Sequence, residues 1–596
     1  MIARLLPIIA WLPRYRRSDS QADLIAGFTT AVMLIPQAMG YAMLAGLPPL
    51  VGLYAALVPA LVYAPLGTSR QLSVGPVAMD SLLVAVALGG LASVGTDNYL
   101  ALAAALGILV GLVQLTLGVL RLGFVVNFLS RPVISGFTSA AALIIAASQL
   151  KYLLRLELPN SHLVPKVLYG AAQQVTAVHG PTLIVGASSI AVLLLLRRFA
   201  PRVPRALCAV TLGTLTVWGL DLHELGVPIV GHVPSGLPSF RLPTLDLNLA
   251  QTLLPSALTI SLVSFMEAIS IGKHFARKNR YELDPSQELI ALGAANLAGG
   301  LFGGYPVAGG VSRTAVAATA GARTQLFSLV TVLGVAVTLL WLTPLLHYLP
   351  KATLSAIIVT AVINLLDFAE PVRLWRIKRV DLALLLLTFV LTLSVGIQWG
   401  ILLGLLASLL LFLVQTTRPH VALLGKIPGT TAYLNCERHP HAEPEQGVLI
   451  VRIDSQFYFG NVTFLKETLQ RLETQQPAPT RAVVLDAAGV NQLDSSAEAA
   501  LQELDEAYRE RNIPLLFCHV KGPVRDVMYR SGLLQRLHAE GRIHLLTHEA
   551  VQAALHWPPL QDTHPTSKPN IPPLEALDSD PRHPADRIGC GKLQTS

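Results

Sequence analysis

Residues 304–310 read Gly-Tyr-Pro-Val-Ala-Gly-Gly, and residues 73–78 read Ser-Val-Gly-Pro-Val-Ala. Both segments are broken by glycine and proline within apolar surroundings, and Pro-Val-Ala recurs at an offset of 230 positions. At the same offset, Gln37 in the first half corresponds to Glu267 in the second, each a polar residue inside an apolar span. Interrupted hydrophobic segments at matching places indicate a duplicated transporter core and its binding site. Chance is the alternative in an Ala-rich chain, but spacing and chemical context repeat together.

The composition is that of a protein embedded in lipid. The 596 residues are 52% hydrophobic and 13% charged, with a mean hydropathy of +0.55, whereas soluble domains carry about 25% charged residues. No Asp, Glu, Lys or Arg occurs in residues 24–69, 289–312 or 382–417. Because a bilayer span needs about 20 apolar residues, the first and last of these runs can each hold two helices. We therefore predict a polytopic α-helical membrane protein.

Fourteen candidate spans follow from the pattern of apolar runs, seven in each half. Basic clusters at residues 14–17, 197–205, 273–280 and 373–379 all fall on one side of this arrangement. The positive-inside rule makes that side cytoplasmic, so we predict cytoplasmic termini, external loops at 151–179 and 221–250, and the inner (plasma) membrane as the location. The spans begin near Leu24, Leu50, Pro76, Tyr99, Gly123, Pro181 and Ala206, and near Leu253, Glu288, Ser312, Gln325, Ala352, Leu382 and Gly400.

The domain prediction places a cytoplasmic segment at 1–20 and two transmembrane repeats at 21–225 and 249–418. Arg14, Arg16 and Arg17 follow the first apolar stub instead of preceding it, which is not the order of a cleavable signal. Residues 2–13 are predicted to form a short helix on the membrane surface. Since basic residues in membrane loops set orientation, the net charge of +8 does not indicate a nucleic-acid partner.

The pattern changes completely between residues 430 and 556, where strand-like and helix-like segments alternate. Such alternation predicts a small cytoplasmic α/β domain. Residues 557–596 are rich in proline and small polar residues, and we predict that this tail is disordered. The cysteines are scattered, so neither a disulfide framework nor a metal site is predicted. With no nucleophile–base set in the sequence, we expect no enzyme activity, no catalytic residues and no cofactor. The predicted strands are 448–451, 482–485, 515–518 and 543–546, and the predicted helices are 462–472, 497–511 and 524–537.

Five motifs in the membrane part lie at residues 36–42, 67–76, 287–293, 303–306 and 312–315, and three in the second domain lie at 457–461, 485–487 and 494–496. The first five resemble the SulP family of sulfate permeases and pendrin–prestin-type anion transporters, and the last three resemble a STAS domain. The resemblance covers roughly residues 20–555. It implies a seven-plus-seven inverted-repeat fold shared with nucleobase permeases, a core domain that moves against a gate domain, and a homodimer.

In such a fold, the helices that follow Pro76 and Gly310 begin near mid-membrane. Each helix N-terminus carries unpaired N–H groups and about half a positive charge, so two facing tips form an anion site from backbone alone. The alternative is that these glycines and prolines only aid helix packing. Arg313 is the one basic residue between Glu288 and Arg323, and an intramembrane arginine is usually functional. By resemblance, the anion-binding positions are Gln37, Tyr41, Gly75, Pro76, Val77, Val311, Ser312 and Arg313.

Two of these positions have a second interpretation from the residues alone. Gln37 can donate hydrogen bonds to an anion, or it can make an interhelical hydrogen bond; residue type alone does not separate these. Tyr41 on its own favours a packing role. The resemblance is what assigns both to the anion site.

Glu267 is the predicted coupling residue. A buried carboxylate can be protonated near physiological pH, and protonation inside a transport core would couple a proton to an anion. The alternative is a permanently ionised partner for Arg313. Sodium-coupled bicarbonate relatives carry Asp at the matching position beside a hydroxyl cluster, whereas here Ser264 and Ser270 flank a Glu. We predict protons and do not exclude sodium.

Two further groups carry weaker predictions. Asp80 lies one turn into the third span, where an ionised carboxylate would repel an anion; it is neutral, paired with Arg313 or turned away. Asp494-Ser495-Ser496 resembles a phospho-acceptor loop, but Ala497 replaces the glycine of that pattern. Asp and Ser before a helix are ordinary N-caps, which we favour, and we expect the domain to regulate through a cytoplasmic protein partner.

The predicted function is secondary active transport of a small inorganic anion, sulfate or a related oxyanion, coupled to protons by an elevator-like movement. Bicarbonate or dicarboxylate symport, or anion exchange, is the alternative on the same fold. Other classes are an uncoupled anion channel, a STAS-based membrane scaffold or sensor, and a nucleobase permease. Glu267 argues against a passive pore, and Arg313 argues against a scaffold or a nucleobase site.

Overall fold

The computed structural model describes residues 6–124, 130–158, 163–200, 203–243 and 246–557. The chain divides into two compact units, Met1–Leu409 and Leu410–Ser596. Residues 558–596, which contain the tail predicted to be disordered, lie outside the described residues, as do residues 1–5.

The first half of the membrane unit begins with a four-residue helix inside the segment 2–13 that was predicted to be helical, and continues through long apolar helices. The helix predicted to begin near Gly123 begins at Arg131 instead. The elements are α1 (Ile8–Trp11), α2 (Arg17–Leu44), α3 (Pro49–Leu66), β1 (Val74–Gly75), α4 (Ala78–Leu88), α5 (Asp97–Val119), α6 (Arg131–Ser148), α7 (Leu150–Leu154), α8 (Val164–Gln173), α9 (Gly180–Phe199) and α10 (Arg205–Gly219).

The second half repeats this order, including a two-residue strand before a short helix. Its elements are α11 (Leu247–Lys278), α12 (Pro285–Leu301), β2 (Ala308–Gly309), α13 (Val311–Thr319), α14 (Leu326–Val337), α15 (Lys351–Val362), α16 (Ala369–Ile377), α17 (Arg379–Ser394) and α18 (Ile397–Thr417).

Helix lengths separate full spans from half-spans. Within the described residues, eight helices are long and apolar enough to cross a membrane. Helices α4 and α13 have 11 and 9 residues. At 1.5 Å per residue they reach only about half of a hydrocarbon core of about 30 Å. The two segments that follow the repeated Gly/Pro breaks are therefore half-helices.

The contacts between helices stay the same when the two halves of the membrane unit are exchanged, as expected for a duplication. Helix α2 packs on α14 as α11 packs on α5, and α6 packs on α17 as α15 packs on α9. Strands β1 and β2 pair with each other in antiparallel register, so the broken segments run in opposite directions. Because seven is an odd number, the second repeat of seven spans crosses the membrane in the opposite direction to the first. The architecture is the predicted inverted repeat.

Glycines allow the two halves to approach closely where α5 meets α12. A Cβ atom added at Gly111 would lie 2.5 Å from the Leu297 backbone nitrogen, and one at Gly293 would lie 2.6 Å from the Leu115 backbone nitrogen. Small residues at such contacts let helix backbones touch in a membrane. This contact ties the second span of one repeat to the fourth span of the other.

The C-terminal unit is built on a six-stranded sheet in the order β4-β3-β5-β6-β7-β8. Strands β5 to β8 run parallel, while β3 is antiparallel to both of its neighbours. The elements are β3 (Val421–Lys426), β4 (Tyr433–Asn435), β5 (Val448–Ile453), α19 (Val462–Thr474), β6 (Ala482–Asp486), α20 (Ser495–Glu510), β7 (Leu515–Cys518), α21 (Gly522–Arg530), α22 (Leu533–Ala539), β8 (Ile543–His544) and α23 (Thr547–Leu555).

The sequence prediction for this unit is correct in class and wrong in three details. It misses β3, which precedes the predicted domain at 430–556, and β4, which lies at the start of that domain. The single helix predicted at 524–537 is two helices, because Gly532 adopts the left-handed conformation with φ +85° between them. The strand predicted at 543–546 ends at His544, since Leu545 and Leu546 are exposed and lead directly into α23.

Candidate anion site

The two half-helices begin beside each other because their leading strands are paired. Val74 of β1 is in register with Gly309 of β2, and the Gly310 amide donates to the Ser73 carbonyl at 2.9 Å. Helices α4 and α13 start two or three residues after this contact. Their amino-terminal N–H groups and positive dipole ends are thus brought to one place, which suits an anion. The predicted meeting of the two tips is observed.

Arg313, in the first turn of α13, is hydrogen-bonded to the backbone just before the other half-helix, α4. It is 1% exposed, and its Nη1 donates to the Pro76 carbonyl at 2.6 Å. Its Nε and Nη2 atoms are buried without a hydrogen-bond partner among the described residues. An arginine is always charged at neutral pH. The site therefore holds one positive charge, and two nitrogens of that guanidinium are left to donate hydrogen bonds to an anion.

Helix α2 packs against both half-helices and supplies the side chains predicted from the first span. Gln37 is 2% exposed and Tyr41 is 5% exposed. The Gln37 Oε1 atom has no hydrogen-bond partner among the described residues, so the interhelical hydrogen bond considered above is not made through this oxygen. Tyr41 is within electrostatic range of Arg313 and Glu267.

The remaining predicted positions differ in exposure. Val77 is the N-cap of α4 and is 4% exposed. Val311 is 46% exposed and Ser312 is also exposed, so the outer face of the α13 tip is open while Arg313 turns inward.

Glu267 on α11 lies near Arg313 but does not pair with it. The two interact electrostatically, yet the described residues contain no ion pair between them, and the Glu267 Oε2 atom is buried without a partner. The guanidinium is fixed by a backbone carbonyl instead. The alternative of a permanent Glu267–Arg313 ion pair is therefore not what the structure contains.

Asp80 belongs to the same cluster of charges. It is 0% exposed, and both carboxylate oxygens lack a hydrogen-bond partner among the described residues. It is within electrostatic range of Glu267 and Tyr305. Of the three possibilities considered from the sequence, pairing with Arg313 does not occur.

A buried amide network behind the site escaped the sequence analysis. Asn296 accepts from the Val307 backbone N–H at 2.7 Å and donates to the Val307 carbonyl at 3.1 Å. The Asn296 amide also donates to Gln114 at 2.9 Å, and Gln114 donates to the Ser264 hydroxyl at 3.0 Å. The network holds the approach to β2 against α11. Each amide is an isolated polar residue in an apolar helix, a signal that could have identified it.

A second acid, in the motif at residues 287–293, has a structural role. Glu288 accepts from Tyr63 Oη at 2.7 Å, from the Thr68 amide and hydroxyl at 2.6 Å each, and from the Ser69 amide at 3.0 Å. A buried carboxylate with four donors is fully satisfied. It fixes the loop that leads into β1.

Two cavities lie towards the two ends of α2. One of about 670 Å³ is lined by Trp11, Tyr15 and Arg70 among others. The other, of about 870 Å³, is lined by Met43, Leu82 and neighbouring residues. Gln37 and Tyr41 occupy the stretch of α2 between them.

In the C-terminal unit, Asp494 is an N-cap, as predicted. Its Oδ1 atom accepts from the Ala497 amide at 2.8 Å, at the start of α20, and its Oδ2 atom accepts from the Phe459 amide at 2.9 Å. The structure does not place Ser495 in any catalytic arrangement of described residues.

The C-terminal unit also contains a cluster of metal-ligand residue types that the sequence analysis did not identify. Asp486, Cys518 and His519 offer ligand atoms within 4.8 Å of one another. They are hydrogen-bonded, with His519 Nδ1 at 3.0 Å from Asp486 Oδ1 and Thr547 within 3.3 Å of the same carboxylate. Burial raises the pKa of Cys518 to about 12, so the thiol stays protonated at neutral pH. The arrangement is that of a buried polar network.

Comparison with known proteins agrees with this fold. The profile of the sulfate permease family matches residues 21–388, and that of the STAS domain matches residues 439–550. Sulfate transporter 4.1, chloroplastic, of Arabidopsis thaliana is 38% identical over 574 residues, covering 93% of this chain and 83% of the relative. A probable sulfate transporter of Mycobacterium tuberculosis is 35% identical over 547 residues, covering 92% and 97%.

Solved structures give the same result. The murine Solute Carrier 26 family member A9 anion transporter has a TM-score of 0.86 at 26% identity, covering 93% of this chain and 94% of that one. The transmembrane domain of the cyanobacterial bicarbonate transporter BicA has a TM-score of 0.58 at 25% identity, covering 66% and 98%.

The paired half-helices and the α/β unit define a multi-pass membrane transporter of anions with a STAS domain, and not an enzyme. The chain belongs to the sulfate permease family. The resemblance drawn from the sequence motifs is confirmed.

Proposed function

We propose that this protein takes up sulfate together with protons. The observation that carries the proposal is the site itself: two helix tips and the spare donors of Arg313 beside an unpaired acid, Glu267. An anion that fills this place receives backbone and guanidinium hydrogen bonds. Protonation of Glu267 removes a negative charge at the same moment, so anion and proton favour each other's binding.

The surroundings of Glu267 support protons over sodium. Sodium needs several free oxygen ligands, as hard cations do. The Ser264 hydroxyl already donates to the Ile260 carbonyl at 2.5 Å and accepts from Gln114, and Ser270 is exposed. Neither flanking serine therefore completes an oxygen cage around Glu267.

Sulfate is the proposed substrate because the relatives that share a third or more of the sequence over nearly the whole chain are named as sulfate transporters. Bicarbonate or dicarboxylate symport, or anion exchange, is the second candidate. The shared fold of a bicarbonate transporter favours it, and helix tips with one arginine suit any of these anions.

The movement we propose is elevator-like, with the site-bearing helices α2, α4, α11 and α13 carried as one body against the remaining spans. The cavities at the two ends of α2 are consistent with access from either side. We further propose a homodimer in the inner (plasma) membrane with cytoplasmic termini, the domain limits 1–20, 21–225, 249–418 and 430–556, and a cytoplasmic protein partner for the STAS domain.

The test is uptake of labelled sulfate into proteoliposomes, with competing anions at several pH values. We expect an inward proton gradient to drive accumulation and Glu267→Gln to abolish that accumulation while keeping some anion binding. Glu224→Gln, which changes an exposed acid, is the matched control and should behave as wild type.

Each outcome separates the candidates. Unchanged accumulation by Glu267→Gln rejects Glu267 as the coupling residue. Flux that only equilibrates, whatever the pH gradient, identifies an uncoupled channel. Stronger competition by bicarbonate than by sulfate identifies the second candidate.

A further inference from the structure

Asp80 is the most isolated acid in the described part of the protein. It is 0% exposed, and neither carboxylate oxygen has a hydrogen-bond partner among the residues that the structure describes. Glu288, equally buried, is surrounded by four donors. Glu288 shows that this fold can supply hydrogen-bond donors to a buried carboxylate. At Asp80 it supplies no such donors.

The groups facing Asp80 do not neutralise it. Glu267 on α11 is an acid within electrostatic range, and Tyr305, which precedes β2, is an uncharged phenol whose hydroxyl lies 3.0 Å from Ser81 Oγ. Arg313 on α13 is bound to the Pro76 carbonyl and forms no ion pair with Asp80. Tyr41 on α2 is near Arg313 and Glu267. Among the described residues, the charged group that acts electrostatically on Asp80 is therefore a second acid.

A buried charge without partners is strongly unfavourable, and an acid so placed is normally neutral. The α4 tip contributes only part of a positive charge to its first turn. Asp80 therefore carries a proton when the site is closed around it. Since Glu267 lies within range, the two acids interact and exchange protons with the medium as a coupled pair.

We propose that Asp80 is a second proton-binding residue of the anion site, so that a divalent anion crosses with two protons. This inference rests on the proposed function. One proton binds to an oxygen of each carboxylate on the side of uptake, and both protons are released with the anion on the other side. The transported charge is then zero, because two protons balance the two negative charges of sulfate.

The charges at the site agree with this count. With both acids protonated, Arg313 contributes one positive charge and the two helix tips contribute about half a charge each. Together these balance a sulfate dianion. With either acid ionised, one negative charge remains uncompensated.

The test measures protons per sulfate in proteoliposomes whose membrane potential is clamped. For wild type we expect the accumulation ratio to change about 100-fold per pH unit, because each coupled proton contributes a factor of about ten. It should not respond to the clamped potential. Asp80→Asn should give about tenfold per pH unit and should become sensitive to potential, since one net negative charge now moves.

Asp97→Asn, which neutralises an exposed acid at the start of α5, is the matched control and should keep the wild-type count. Exchange of labelled for unlabelled sulfate at equal pH, which needs no net proton movement, shows that Asp80→Asn is folded and binds its substrate. The wild-type count needs no variant, so a count of one proton overturns the inference even if Asp80→Asn fails to fold.

Other outcomes are equally decisive. An Asp80→Asn variant that keeps the two-proton slope and the insensitivity to potential overturns the inference and leaves the proposed function standing. Accumulation driven by a sodium gradient at equal pH overturns the assignment of protons. A wild-type protein with no accumulation under any pH gradient removes the proposed function itself.

Discussion

At the scale of the residue, three acids of the membrane unit differ in their hydrogen-bond partners. Glu288 has four donors and fixes a loop. Glu267 and Asp80 have unpaired oxygens at the meeting point of the half-helices. An unsatisfied polar group in a low-dielectric interior is expensive and marks function. Residue type alone could not separate these acids, because the donors that satisfy Glu288 lie more than 200 positions away along the chain.

Cys518 allows a pH prediction in the C-terminal unit. Burial raises the pKa of its thiol to about 12, so the reactive thiolate is scarce at neutral pH. We expect alkylation of the native protein to rise about tenfold per pH unit between pH 8 and 10. An unperturbed thiol instead levels off above its pKa of about 8.5. Mass spectrometry after timed iodoacetamide treatment follows the modification of this residue.

The denatured chain is the control for Cys518, since there the thiol has its ordinary pKa. Rapid modification of native Cys518 at pH 7.5, at the rate of the denatured chain, would contradict the raised pKa and the proposed polar network.

At the scale of the element, the two half-helices are set by short backbone motifs that sequence inspection can find. The breaks at 73–78 and 304–310, the start of both helices and the N-cap Asp494 follow from glycine, proline and capping preferences, which are local. Sequence reasoning did not reach the partner of Arg313, a carbonyl 237 positions away, or the Asn296 network. Those depend on tertiary packing, as does the break at Gly532.

Gly310, the residue before α13, is predicted to fix the position of the Arg313 guanidinium. A Cβ atom there would lie 2.6 Å from Arg313 Cζ and Nη2, so Gly310→Ala should displace the guanidinium from its place at the helix tip. We expect sulfate affinity to fall about tenfold or more, equivalent to about 1.4 kcal/mol. Competition binding of labelled sulfate measures the change.

Gly90→Ala is the matched control for this substitution. Gly90 is exposed just beyond the end of the other half-helix, and an added Cβ would meet nothing within 4 Å. Equal affinities for the two variants would show that the position of Arg313 is not fixed by the space at Gly310.

At the scale of the whole molecule, the duplication with reversed direction is the organising feature. The number of spans and the bias of basic residues together predict which loops face which side. Individual spans could be predicted because hydrophobicity is a local property. The pairing of spans across the two repeats could not, because it depends on close glycine contacts such as those between α5 and α12.

Orientation can be measured by cysteine labelling. In a background without the native cysteines, Glu224→Cys should react with a membrane-impermeant maleimide from outside intact cells, whereas Lys278→Cys should react only after the membrane is opened. Both positions are exposed in the structure. Labelling of both from the same side would mean that an even number of spans, and not the single helix α11, separates the two positions, and the fourteen-span topology would be wrong.

The pairing of β1 with β2 has a consequence for biogenesis. The strand that completes β1 is encoded about 230 residues later, so a nascent chain carries the first broken segment into the membrane before its mate exists. At roughly 5–20 residues per second of synthesis, that interval lasts roughly 10–50 s. During this time the exposed amides and carbonyls of the segment need shelter from lipid, which the insertion machinery or neighbouring helices of the first repeat must give. The anion site therefore cannot form before the second broken segment, about halfway along the chain, has been synthesised.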